Sequence, residues 1–95
     1  MKLLSIKPSD RPTKKYVATF MVNDKQKTVQ FGSRGSSTYL DNKDEAKRKA
    51  YIARHSVRED FNNPLTSGSL AKNLLWGPTT SLRENIALFK KRFNL

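Results

Sequence analysis

No cysteine occurs in the chain, which excludes disulfides, thiolate metal centres and a cysteine nucleophile. A single histidine, His55, likewise excludes a multi-histidine metal site. Acidic residues are few. Against 19 Lys and Arg stand only 8 Asp and Glu, a net charge of +11, so the protein's field attracts polyanions and repels its own copies at low salt. Long hydrophobic runs are missing too. The opening MKLLSIKPSDRPTKK has only a short apolar stretch before Pro8 and does not read as a signal peptide, and no run is long enough to span a bilayer. The expectation is a soluble chain with no membrane span, no metal or other cofactor, and no small-molecule substrate.

What is present suffices for one domain over 1–95, since a chain of 95 residues buries roughly 60–65% of its unfolded surface and leaves little for a second core. The first part, 1–31, reads as strands. Lys2 to Lys7 alternates Leu4 and Ile6 with Leu3 and Ser5 and stops at Pro8. Lys14 to Val22 places Tyr16, Ala18, Phe20 and Val22 on one face. Asn23 to Gln26 predicts a turn and Lys27 to Phe31 a returning strand. A three-stranded antiparallel meander with one apolar face needs a cover, and residues 42–95 supply it. The expected fold is α+β, a small meander covered by about three helices.

The first of these helices is capped by Asn42, with Asp44 and Glu45 suited to its dipole, and is broken at Asn62-Asn63-Pro64. Its wheel predicts a packing stripe of small residues, Ala46, Ala50, Ala53 and Val57. Beside it runs a basic stripe with one aromatic: Lys47, Tyr51, Arg54 and Arg58. A short apolar helix follows, capped by Thr66 or Ser67, ending on the only tryptophan, Trp76, and stopped by Gly77 in a left-handed cap and by Pro78. The last helix opens on the capping box Ser81 to Glu84 and turns Leu82, Ile86, Phe89 and Phe93 inward. Leu88 and Leu95 lie off that face, free for a partner.

Chemistry is thinner. Gly32 to Thr38 lacks the Gly-Lys-Ser/Thr ending of a phosphate-binding loop and reads as a plain connection, with Arg34 as its one candidate phosphate contact. His55, with Glu59 and Asp60 downstream, invites an acid–base reading, but no second catalytic group can be placed, and the expectation is no enzyme. The basic surplus is the stronger signal. Lys47, Tyr51, Arg54 and Arg58, joined by Arg34 and by Lys90, Lys91 and Arg92 of the last helix, are the candidate residues for contacting a polyanion or an acidic partner.

The segments Asp44-Glu45-Ala46-Lys47-Arg48, Tyr51-x-x-Arg54-His55, Glu59-Asp60-Phe61, Pro64-x-Thr66-x-Gly68 and Leu75-Trp76 resemble a family of short basic proteins encoded by nucleocytoplasmic large DNA viruses of algae and protists. The resemblance runs from Phe31-Gly32 to Phe93. Asp60-Phe61 and Thr66-Ser67-Gly68 stand where that family often has Glu-x-Trp and Thr-Ala-Gly. The resemblance implies a viral setting and no catalytic residue. It leads to the expectation of a non-enzymatic virion component, a minor capsid protein binding acidic surfaces of larger viral structural proteins, found in the virion and in the host cytoplasm or nucleus during assembly. The rival expectation is a sequence-independent binder of DNA or RNA through the basic helix face.

Overall fold

The computed structural model describes residues 1–57 and 61–95. Its centre is β2 (Lys14–Val22), flanked antiparallel by β1 (Lys2–Pro8) and β3 (Lys25–Ser33) in the order β1-β2-β3. The alternation of β2 acts as expected: Ala18 and Phe20 are fully buried, and Tyr16 and Val22 pack against the same core. The β2–β3 turn is tighter than the four residues expected. Asn23 and Asp24, at φ of 50° and 65°, make a two-residue turn that pairs Val22 with Lys25, because short polar side chains tolerate the left-handed region that a twisted hairpin demands. β3 therefore begins at Lys25 instead of Lys27 and runs on to Ser33.

In β1 the expected partnership of Leu4 with Ile6 fails. The register slips between Leu3, opposite Phe20, and Ser5, opposite Thr19. This bulge adds one residue and resets the two-residue period, so that Leu3 and Ile6 both meet the core. Leu3 is 6% exposed and Leu4 45%.

Four helices occur among the described residues: α1 (Tyr39–Asn42), α2 (Glu45–Ser56), α3 (Ser67–Leu70) and α4 (Leu82–Arg92). The fold is α+β, as expected, with α1 as an addition. Thr38 opens α1 by donating its backbone N–H to Asp41 Oδ2 at 2.9 Å. Lys43, at φ 53°, ends it. Asp44, not Asn42, then caps α2, its Oδ1 accepting the N–H groups of Ala46 and Lys47. Asn42 sits one step back, its Oδ1 accepting from Asp44 N–H.

Thr66 caps α3 by accepting from Ser69 N–H at 3.1 Å. The helix then widens into a π-helical turn, Ala71–Leu75, closed by Trp76 N–H donating to Ala71 O. Leu70, Ala71, Leu74 and Leu75 form one core with Phe20, Phe31 and Phe89 of α4. Asn85 is buried beside them; its Nδ2 donates to Leu74 O at 3.0 Å and its Oδ1 accepts from Thr79 N–H at 3.1 Å. Gly77 is no left-handed cap, since its φ is not positive. Space requires it: a Cβ there would stand 2.3 Å from Asn73 O.

At the far end of α4, Asn94 takes φ 55° and Leu95 N–H donates to Lys90 O at 2.8 Å. This closure folds the last side chain inward. Leu95 consequently packs against the core, which corrects its expected availability to a partner, while Leu88 stays 46% exposed.

The packing stripe expected on α2 is also corrected. No residue of α2 is buried; Ala46, Ala50 and Ala53 are exposed, and Val57 is 81% exposed. Alanine carries too little surface to bind a helix across a gap, and longer side chains do so instead. Arg48 Nε donates to Trp76 O at 3.1 Å and Gly77 O at 2.8 Å, and its Nη1 reaches Glu45 at 3.2 Å. The same guanidinium lies 5.6 Å from the Tyr39 ring centre. The Tyr39 phenol and the Glu45 carboxylate act on each other, Glu45 raising the phenol's pKa and Tyr39 lowering the carboxyl's.

Candidate anion-binding cleft

Between α2 and the loop after β3 lies a cleft of about 780 Å³. Three separate stretches build it. The end of β3 contributes Gly32 and Ser33 and the loop after it Ser36, Ser37 and Thr38, with Lys14 beside them on β2. Gly32 is at φ 78° and a Cβ would come 2.8 Å from Leu75, so the chain can pass close to the floor only without a side chain there. The floor is Thr66, Ser67 and Gly68 with Ala71, Leu75 and Trp76. The facing wall is α2, where Lys47, Tyr51, Arg54 and His55 share one side because their spacing follows the helical repeat.

The rings in this wall are stacked. Tyr51 lies 4.5 Å from Trp76 at an interplanar angle of 7°, and 4.1 Å from His55 at 26°. All three rings are half-buried. Trp76 thus packs against the core and also serves as a stacking surface.

Charge in the cleft is of one sign. Lys14, Lys47 and Arg54 line it and, among the described residues, no Asp or Glu does. The ion pairs found among the described residues, Lys15–Asp41 and Arg48–Glu45, leave the Lys47 and Arg54 head groups without a carboxylate. Both side chains are exposed.

Three of the four residues of the basic stripe, Lys47, Tyr51 and Arg54, are therefore brought together with the glycine–serine loop. Arg58, like Glu59 and Asp60, lies outside the described residues. Arg34 is placed elsewhere: its Nη2 donates to Ser9 O at 2.7 Å and its Nε to Lys14 O at 3.2 Å, tying the loop to the β1–β2 connection. Arg92 clasps two asparagines, reaching Asn62 at 2.8 Å and Asn73 at 3.2 Å. Lys90 and Lys91 are exposed on α4 and do not line the cleft.

Sequence reasoning missed the Thr66 to Gly68 floor, the serines as lining and Arg48 as the tether of α2. It also missed Lys72, half-buried over the Phe61 ring at 5.5 Å, whose pKa is lowered by burial first and then by Arg92 and Arg48. No helix among the described residues is long and apolar enough to cross a membrane.

The model of a family of unknown function, DUF5754, matches residues 4–55. The match takes in the sheet, the loop and the Lys47, Tyr51, Arg54 and His55 wall, and ends before the Thr66 to Trp76 floor. No curated protein and no solved structure matches the chain.

Proposed function

The chain belongs to the DUF5754 family of unknown function; that membership brings no activity with it, and from the lining of the cleft we propose that the protein is a non-enzymatic binding component that engages an anionic macromolecule there. One observation carries the reading: two cationic groups with no carboxylate partner among the described residues, Lys47 and Arg54, and Lys14 opposite them line a concave surface to which no described residue contributes an acid. Cations held together without a counter-charge repel one another, and an anionic partner relieves that cost.

The viral setting rests on the motif resemblance from Tyr51-x-x-Arg54-His55 to Leu75-Trp76. In it, the protein is a minor capsid component bound to acidic faces of larger virion subunits. The second reading, sequence-independent binding of nucleic acid, is favoured by the ring stack beside Lys47 and Arg54, because bases stack on aromatic surfaces and carboxylates do not.

Charge reversal tests the common core of both. Lys47→Glu with Arg54→Glu is expected to weaken binding to heparin at least tenfold and to flatten its salt dependence, since fewer counterions are released on binding. The thermal midpoint is expected to hold, since both side chains are exposed. Equal heparin affinity in the double variant would refute the cleft as the binding surface. Quantitative proteomics of purified particles, shell against genome-containing core, checks the viral setting; absence from both fractions refutes it.

A further inference from the structure

We infer that the cleft takes a single nucleoside phosphate unit, either a free nucleotide or an unpaired nucleotide of a single strand. This rests on the anion-binding reading above and narrows it to one ligand chemistry. A volume of about 780 Å³ falls in the range of small-ligand clefts, about 300–1,000 Å³. It admits a nucleotide whole.

The lining matches the three parts of such a unit. The phosphate meets Lys47 and Arg54, the sugar hydroxyls meet Ser36 and Ser37, and the base meets the half-buried surface of the stack that contains Tyr51 and Trp76. The order along α2 suits this, because Tyr51 lies between the two cations. At about 1.5 Å of rise per residue they stand roughly 6 Å to one side of it and 4.5 Å to the other. A base against the rings thus leaves its phosphate within reach of a long cationic side chain in either direction.

Other anions use less of the cleft. The carboxylates of an acidic peptide satisfy Lys47 and Arg54 but bring no aromatic surface to the rings. A duplex keeps its bases inside and presents a convex row of phosphates, so it reaches the rim alone. Only an unpaired nucleotide engages cations, hydroxyls and rings together.

The chain's single tryptophan is Trp76, so its emission reports the cleft with no background from a second indole. The full chain at low salt is titrated with adenosine 5′-monophosphate, with single-stranded oligo(dT), with inorganic phosphate and with heparin. Saturable quenching of Trp76 is expected with the nucleotide, the oligonucleotide or both, and not with phosphate or heparin; which of the first two quenches tells the free nucleotide from the strand. Arg54→Ala, an exposed change that leaves the circular dichroism intact, is expected to weaken binding of the quenching ligand about tenfold, the loss of one charge-assisted hydrogen bond. Heparin binding without quenching by either nucleotide ligand overturns the inference and leaves the anion-binding reading standing. Failure to bind heparin or either nucleotide ligand overturns both.

Discussion

The sheet with its α3, π-turn and α4 cover differs from the α2 side in what holds it together. On the first side Phe20, Phe31, Leu70, Leu74 and Phe89 are buried within one cluster, and the cohesion is that of apolar surface removed from water. On the second, no residue of α2 is fully buried. It is held by one guanidinium that donates to two backbone carbonyls and lies against the Tyr39 ring, and by a ring stack. The first side gives the molecule its shape, and the second gives the cleft its charged wall. Elements with few buried apolar contacts open at lower free energy than the core, so the wall proposed to meet a ligand is also the part of the fold free to adjust to one.

The largest effect is expected on the packed side. Phe20→Ala leaves a cavity under the middle strand where the ring was fully buried, at about 3–5 kcal/mol. Chemical denaturation should show the whole domain losing that much, α2 included, because nothing on the α2 side stands without the sheet.

Arg48→Ala should act differently. It removes hydrogen bonds from a charged donor to Trp76 O and Gly77 O, at about 1.5–3 kcal/mol, and the loss should be local. Amide exchange is expected to quicken over residues 45–56 while the amides of β2 keep their protection. Uniform quickening across both would show that the two regions open as one unit and would break the comparison.

The same division explains what could be read from the sequence. Where apolar burial decides, periodicity is enough: Ala18 and Phe20 on β2, and Phe89 on α4, sit where their spacing places them. The bulge at Leu4 escaped because the slip belongs to pairing with β2, not to β1's own residues. On the α2 side, periodicity singled out the small-residue stripe, which is exposed, and also the basic stripe, of which Lys47, Tyr51 and Arg54 reach the cleft. Helical spacing reports which residues share a side, not which side meets the protein. Arg48 shows why: a polar residue in sequence, it spans to a carbonyl 28 residues away, and no local signal announces that. The glycine–serine loop reads alone as a connection and becomes lining only when α2 folds opposite.

The smallest effect is expected at the joint between the two regions. Asp41 of α1 stands 3.6 Å from Lys15 of β2 and accepts from the Thr38 N–H. That backbone hydrogen bond first, working against burial and joined by the Thr38 hydroxyl and Lys15, lowers its pKa below the ordinary 3.8. Between the lowered folded value and 3.8 the unfolded chain binds more protons, so stability rises with pH through that window. The contribution is complete above 3.8 and is lost as pH falls through the folded value. Asp41 is well exposed, so solvent screening holds its share below about 1 kcal/mol. Asp41→Asn should therefore lower the thermal midpoint slightly at neutral pH and converge with the parent in strong acid, with the difference confined to α1 and its cap. A difference that persists unchanged below the folded pKa would mean that the side chain acts at this joint through hydrogen bonds that do not need its charge, and that charge does not link the sheet to the cleft.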